Sequence, residues 1–353
     1  MTLGRITTNA GEWLRGAGPR SDVVLSSRVR LARNLAGFPF VSRSSRRQRE
    51  EILERCRDQI MNGQLAENVL WVGLVECPQV DCQLLVERHL ISRQHARAND
   101  LARAVAVDTN ETFSIMVNEE DHLRIAVLRS GVQLAEAFEQ VNRIDNIIEK
   151  KLDYAFSKRF GYLTACPTNV GTGMRVSVML HLPALKLTGE IDKVRRAARD
   201  IHLAVRGLFG EGSEAHGDLY QISNQTTLGR SEQEILSEFE HTVVPQIIAY
   251  EQQARQALLQ QRSVQLDDKI WRAWAILTQA RMLGSEEVLT LLSHLRLGVN
   301  LGRIQTVDIQ TINELFLLSQ PAHLQKINGS AMEGAVRRQG RAELIRRRLG
   351  AAD

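Results

Sequence analysis

Two short apolar runs that must fold back on each other constrain this chain most. In FSIMV, Phe113, Ile115 and Val117 share one face of a strand, and in LRIAV, Leu123, Ile125 and Val127 do the same. The polar stretch between them predicts a hairpin with Glu119, Glu120, Asp121 and His122 at its tip. Arg124 leaves its strand on the face opposite Leu123 and Ile125, so an acid and a cation are presented side by side. By itself a solvated acidic turn is the simpler reading. The rest of the chain decides between the two.

At 353 residues, 43% hydrophobic and 24% charged, the chain has the length of two globular domains and the means to bury their cores. The first sixteen residues contain no apolar signal region, and no apolar run approaches the ~20 residues a membrane span needs. A cytoplasmic protein is expected. Cys56, Cys77, Cys82 and Cys166 form no CxxC pair and have no histidine at metal spacing, which argues for reduced thiols and against a zinc site. The net charge of +4 is spread along the chain and only 5% of residues are aromatic. This favours anionic small ligands over direct nucleic-acid binding. Seven of the 45 basic residues are lysine, so arginine is common enough that no single one carries an argument.

After a polar leader, DVVLSSRVRLARNLAGFPF opens as a strand on which Arg28 and Arg30 share a face. Two guanidinium forks side by side suit phosphate oxygens; the alternative is a basic edge strand. SSRRQREEILERCRDQIMNG reads as an amphipathic helix with Ile52, Leu53, Cys56 and Ile60 inward, and NVLWVGLVE as a buried strand. A helix ending near His89 comes next. Beyond the hairpin, Leu134, Phe138, Val141, Ile148 and Leu152 mark a long helix lying on the sheet. FGYLTACPTNVGTGMRVSVMLHLP predicts two strands around a turn, with Cys166 ending the first and Arg175 starting the second. The Gly171-Thr172-Gly173 fragment is no dinucleotide fingerprint, and no phosphate-binding GxxxxGK[ST] loop occurs. TGEIDKVRRAARDIHLAVRGLFG reads as a helix with Thr188 as a cap and Arg206 near its exit; a glycine-rich segment from Glu211 suits a lid. From Ser231 onward only helical spacing remains. Trp271 and Trp274 share one helical face there, as core or as an interface ridge that would suit a homodimer. A basic terminal helix, with six Arg against one Glu between residues 337 and 348, closes the chain.

The hairpin VNEEDHLRI, the turn ACPTNVGTGMRVSV, the SSRVR start, the RGLFGE exit and the YQISNQTTLG segment resemble the phosphagen (ATP:guanido) kinases in order and spacing, over about residues 21 to 240. The resemblance implies an α+β fold: a leader over 1–20, a catalytic domain over 21–240 with an antiparallel sheet flanked by helices, and an all-helical C-terminal domain over 241–353. Within the family the chain looks most like the branch that phosphorylates arginine in proteins. Kinases for free guanidino compounds carry a helical domain ahead of the SSRVR strand, whereas here about twenty residues precede it and the extra mass stands at the other end.

By resemblance, Glu120 and Glu211 are the carboxylates that orient the guanidinium and take its proton, and Cys166 is a tuning residue beside them. Arg28, Arg30, Arg124, Arg175 and Arg206 match the nucleotide clamp. Further nucleotide contacts are implied at Ser26, Ser27, Val29 and His89, along Val176, Ser177, Val178 and Met179, and through Gly207, Leu208, Phe209 and Gly210. ATP and Mg²⁺ are the implied cofactors, with no protein residue assigned as a metal ligand. Protein substrates with exposed arginines are the implied partners, together with a heat-shock repressor, a zinc-binding activator and a Clp-type unfoldase. A kinase for free arginine and a catalytically silent adaptor for arginine-rich clients are the competing readings. One departure stands out: RRQGRA (337–342) matches the branch's phosphoarginine-binding segment, but Arg338 replaces its Asp. Arg337 and Arg341 can still grip a phosphoryl group, yet the carboxylate for the guanidinium is missing, which counts against activation by phosphoarginine.

Overall fold

A computed structural model describes residues 10–97, 102–208 and 216–350. Phe209, Gly210 and Glu211 lie outside the described residues. The strands are β1 (Val24–Arg33), β2 (Val69–Gly73), β3 (Ala104–Asp108), β4 (Phe113–Val117), β5 (Leu123–Ser130), β6 (Phe156–Ser157), β7 (Gly161–Tyr162), β8 (Met174–His181), β9 (Leu203–Gly207) and β10 (Leu219–Asn224). Eight of them form one sheet in the order β2-β3-β4-β5-β1-β8-β10-β9, antiparallel at every pairing, while β6 and β7 make a small separate ribbon.

The predicted hairpin is β4–β5. Phe113 faces Val127, Ile115 faces Ile125 and Val117 faces Leu123, and all six are fully buried. Their face of the sheet is the core. It continues through Val29 and Leu31 of β1 and Val176 and Val178 of β8, and is covered by the long helix over Leu134–Glu149 through Leu134, Phe138, Val141, Ile144 and Ile148. NVLWVG is the edge strand β2 and only half-buried, because one of its sides has no neighbour to cover it.

The helices of the first half are α1 (Arg46–Asn62), α2 (Gln79–Glu87), α3 (Arg93–Ala96), α4 (Leu134–Glu149), α5 (Pro183–Leu187) and α6 (Ile191–Asp200). Ser45 and Gln48 close a capping box at the start of α1. The helix predicted from TGEIDKVRRAARD is α6, but its N-cap is Glu190; Thr188 ends α5, where its hydroxyl bonds back to Ala184 O and Leu185 O. Arg206 lies on strand β9, where HLAVRG alternates after the helix has stopped. The glycine-rich stretch expected as one segment contains β10, whose Tyr220 and Ile222 pair into the sheet interior.

Beyond β10 the described chain is helical: α7 (Glu232–Glu238), α8 (Val244–Gln261), α9 (Ser263–Gln279), α10 (Ser285–Asn300), α11 (Ile309–Leu318), α12 (Pro321–Asn328) and α13 (Gly334–Arg348). Buried charges fasten these helices to the sheet. Arg296 of α10 bonds Ser21 O, Asp22 O, His181 Nδ1 and Asn313 Oδ1. Arg255 of α8 bonds Glu251, Asp22 O and the Asp22 carboxylate, while Glu251 accepts the N–H groups of Ala184 and Leu185 at the start of α5. The leader is not loose where it is described, since Trp13 and Leu14 are buried in the main core. Trp274 packs against that core; Trp271 stays half-exposed.

Candidate active site

Residues directly opposed in an antiparallel pair share a face, so the register shows what the sheet presents on the side away from α4. Arg30 of β1 opposes Arg175 of β8, Arg28 opposes Ser177, and Ala32 opposes Arg124 of β5. Gln221 of β10 opposes both Met179 of β8 and Arg206 of β9. Five arginines from four strands therefore stand on one face. Burial, then repulsion from Arg124, lowers the Arg28 pKa to about 10. Burial, with Arg28, Arg124 and Arg175 adding to it, holds Arg30 well below the ordinary value. Arg28 Nε is buried with no hydrogen-bond partner among the described residues. Cations held this close and this dry are complementary to an extended polyanion such as a triphosphate, whose charge would relieve their repulsion.

One arginine of the five is neutralised by the hairpin tip. Arg124 Nη1 meets Glu119 Oε2 at 2.6 Å and Nη2 meets Glu120 Oε2 at 2.9 Å. The solvated-turn reading fails here, because Glu119, Asp121 and His122 are buried and Glu120 alone is partly open. Each buried member has a fixed task. Ser92 donates its hydroxyl to Glu119 at 2.6 Å. Asp121 Oδ1 accepts from Asn34 Nδ2 and from Ala165 N, each at 2.7 Å. His122 Nδ1 accepts from Leu35 N at 2.9 Å and its Nε2 lies 2.9 Å from Pro39 O, an arrangement that requires the neutral ring with its proton on Nε2. Burial pushes the Glu120 carboxyl above its usual range; Arg124 opposes this, and Asp121 and Glu119 add to it. For Glu119, burial acts upward too, but Arg124 and the Ser92 hydroxyl outweigh it and the net shift is downward. Two adjacent carboxyls are thus pushed apart, one firmly ionised and one poised nearer to proton exchange.

The Ala165–Asp121 bond also places the cysteine turn. Cys166 follows Ala165 directly and Glu120 precedes Asp121, so this hydrogen bond ties the segment that carries Cys166 to the one that carries Glu120. Cys166 is partly exposed, caps a short 3-10 turn over Pro167–Asn169, and has its Sγ 3.1 Å from Thr168 Oγ1. Asn169 Oδ1 lies 3.4 Å from Arg175 Nη2, joining this turn to the cation face. Gly171 and Gly173 have φ of 117° and 66° and pass close to other backbone: a Cβ on Gly171 would sit 2.8 Å from Thr227 O, and one on Gly173 would sit 2.6 Å from Ala32 O. The turn is held from beneath by Arg33, which donates to Thr172 O at 2.9 Å and to Asp145 through Nε and Nη2.

Other predicted contacts divide by face. Ser26, Ser177 and Met179 lie on the arginine side. Val29, Val176 and Val178 point into the core, so they can serve a ligand only through the strand that carries their neighbours. Ser27 is fully buried and bonds Gly131 O and Gln133 N, a structural role that excludes it as a side-chain contact. Gly207 ends β9 and Leu208 follows it, both buried. His89 follows α2 with a left-handed φ of 59° and stacks edge-on against Trp13 with ring centroids 4.5 Å apart. Burial, followed by Arg28 and Arg93, lowers its pKa to about 3, which keeps it neutral beside the cations. In the terminal helix Arg341 is 1% exposed and donates to Ser319 O, Leu283 O and Ser285 Oγ. The basic terminal helix is therefore not a solvated face throughout, since Arg346 is buried as well.

Sequence reasoning passed over Glu119 as a site member, and over Asn34, Ser92, Asn169 and Asn224. Asn224 is instructive: its Oδ1 accepts from Val176 N at 2.8 Å and its Nδ2 donates to Met174 O at 3.2 Å, so it supports the backbone on both sides of Arg175. Only its place at the end of an alternating run hinted at this.

Comparison with known proteins agrees with this geometry. Residues 51–254 match the family profile of the ATP:guanido phosphotransferase C-terminal catalytic domain, and residues 263–353 match that of the protein-arginine kinase McsB C-terminal domain. The chain is 46% identical to a protein-arginine kinase of Halothermothrix orenii over 98% of both chains. It is 45% identical to that of Geobacillus stearothermophilus over 99% of this chain and 96% of the relative. Among solved structures, the duplicated taurocyamine kinase of Schistosoma mansoni with bound transition state analog components is similar with a TM-score of 0.59 and 28% identity, over 65% of this chain and 33% of that one. A lombricine kinase is similar with a TM-score of 0.57 and 27% identity, over 65% and 66%. With a catalytic-domain match over more than half its length and full-length relatives at this identity, the chain belongs to the ATP:guanido phosphotransferase family and, within it, to the protein-arginine kinases.

Proposed function

We propose that this protein transfers the γ-phosphoryl group of ATP to the guanidinium of arginine side chains in other proteins. The observation that carries the reading is the single face on which five arginines from four strands adjoin a half-open glutamate. A guanidinium is cationic and a poor nucleophile, with a pKa above about 12. It has to be turned toward the phosphorus and relieved of a proton.

Glu120 does the first task and takes part in the second. One of its oxygens is engaged by Arg124 and its side chain is 39% exposed, so it can receive an incoming guanidinium. Glu119, ionised and bound to both Ser92 and Arg124, fixes the direction in which Arg124 presents Glu120. Such positioning is worth about 7 to 11 kcal/mol of a barrier. Arg28, Arg30, Arg124, Arg175 and Arg206 hold the phosphates and offset the charge that spreads over the transferring group. The face is rich in cations and, among the described residues, no group of three or more His, Cys, Asp or Glu could hold a metal. Mg²⁺ would come with the nucleotide and, when bound, would offset the charge of its phosphates. Glu211 stands as the second carboxylate by resemblance, and Cys166 tunes the acceptor side from its place beside Ala165.

In this reading the catalytic part runs to about residue 240 and the helical part from 241, and the enzyme works in the cytoplasm as a homodimer with Trp271 on its exposed surface. A heat-shock repressor and a Clp-type unfoldase are its expected downstream partners and a zinc-binding protein its activator. Activation by phosphoarginine is not expected, because Arg338 is no substitute for a carboxylate and Arg341 already donates from each of its three nitrogens within the fold. The test is to incubate the protein with Mg²⁺-ATP and an unfolded arginine-containing protein, with free arginine in parallel, and map acid-labile phosphate by mass spectrometry at neutral pH. Phosphate on protein arginine is expected. Phosphate on free arginine alone would make this a small-guanidine kinase, and binding of ATP without transfer would make it an adaptor.

A further inference from the structure

The second small core, between α2 and the edge strands, holds two thiols that the site does not use. Pro78 is the N-cap of α2, so Cys77 is the residue before the cap and Cys82 is the fourth residue of the helix. These are the two positions whose side chains meet across a helix start, where a pair of apolar residues is usual. Here both are cysteines. The Cys82 thiol donates to Cys77 O at 3.7 Å, which brings its sulfur back onto the residue that carries the other thiol. Cys77 is half-exposed and Cys82 is 6% exposed. The influence of each thiol on the other pushes Cys77 up and Cys82 down, which favours Cys82 as the attacking sulfur.

We propose that Cys77 and Cys82 are a dithiol modification site that a hydroperoxide closes to an intramolecular disulfide. In the first step the Cys82 thiolate attacks one peroxide oxygen, the O–O bond breaks, and Cys82 becomes a sulfenic acid as water or an alcohol leaves. In the second step the Cys77 sulfur displaces the sulfenic oxygen, which departs as water, and the S–S bond forms. Two thiols are oxidised and one peroxide is reduced, so no other reactant is needed.

The site is placed to be felt elsewhere. Asp81, between the two cysteines, pairs with Lys326 of α12. At the other end of α2, Glu87 accepts from the backbone N–H groups of Ala322 and His323 and from the His323 ring, while Arg88 pairs with Glu111 and approaches His323 Nε2 at 3.1 Å. Helix α2 is thus the clamp on the first turn of α12. Drawing the two sulfurs to the ~2.05 Å of a disulfide moves the turn that carries Asp81, and with it one of the clamp's two ends.

The whole protein, treated with hydrogen peroxide, alkylated and digested with trypsin, gives the answer directly, because the tryptic peptide 58–88 contains both cysteines and no internal Lys or Arg. We expect that peptide to lose two hydrogens and to resist alkylation, and the change to be absent in Cys77→Ser and Cys82→Ser. Full dialkylation of the peptide at a peroxide dose that oxidises Cys166 would overturn the assignment, as would sulfinic acid on either cysteine with no disulfide. Hydrogen exchange over 321–328 reads the consequence: severalfold faster exchange is expected in the oxidised protein and no change in treated Cys77→Ser. Equal exchange in both would overturn the coupling to α12. Neither readout involves phosphoryl transfer, so failure here and failure of the kinase reading are separable.

Discussion

At the scale of single residues, the site is a pair of neighbouring glutamates given different characters by their surroundings. The hairpin's alternation showed where Glu119 and Glu120 would be, and the resemblance singled out Glu120. That Glu119 is the buried, ionised brace and Glu120 the open one depends on Ser92, on Arg124 and on how deeply each side chain is covered. None of that has a sequence period. A pH dependence follows. Burial raises the Glu120 pKa above its usual 4.5, and the proposed transfer needs the carboxylate form, so activity is expected above the raised pKa and lost as pH falls through it. The acid limb of kcat/KM should fall at a higher pH than an ordinary glutamate gives. A limb at or below 4.5 would remove Glu120 from the transfer step.

At the scale of elements, the strands that alternate cleanly were legible and those defined by their partners were not. Strands β4, β5 and β8 and helices α1 and α4 carry their period in the sequence. Arg206 was misplaced because RGLFG follows a helical run closely, and β10 was missed because its short alternation, with Tyr220 and Ile222 inward, directly follows a glycine-rich run. The cysteine turn is an element of another kind, held by a buried polar cluster: Arg33 on Asp145, Tyr154 Oη on Asp145 Oδ1 at 3.0 Å, and the Arg33 guanidinium 3.6 Å from the centre of the Tyr162 ring. Both charges are nearly inaccessible, with side chains 2% and 6% exposed. Asp145→Asn should therefore destabilise the fold by about 3 to 5 kcal/mol, since it leaves the Arg33 charge buried and uncompensated. A urea midpoint measures this. A loss below about 1 kcal/mol, the usual worth of a surface pair, would show that water reaches the cluster.

At the scale of the whole molecule, helical spacing announced the C-terminal half, but its attachment was hidden, because buried arginines on α8, α10 and α13 look in sequence like any other basic residues. Arg255, Arg296 and Arg341 are spent on carbonyls, carboxylates and one histidine inside the fold. The same burial makes the molecule acid-sensitive. Burial, then Arg28, holds His89 at about 3; burial holds His95 at about 4; burial lowers His122, His181 and His323 as well. Their folded pKa values lie below the ordinary 6.5, so the unfolded chain binds these protons first. The contribution to stability is complete above about pH 6.5 and is lost as pH falls toward the folded values. Urea midpoints should drop between pH 7.5 and pH 5.5, and an unchanged midpoint would show that these rings are solvated.

In the proposed reaction one face of this sheet both holds a nucleotide and aims an acceptor guanidinium with Glu120. The most direct measurement compares Glu120→Gln with the native protein in two readings on one sample: ATP affinity by calorimetry, and single-turnover transfer to protein arginine. The account predicts affinity within a few-fold of native and transfer slowed on the order of 10² to 10⁴. Native transfer rates in Glu120→Gln would contradict it, because the carboxylate beside the five arginines would then have no part in the reaction.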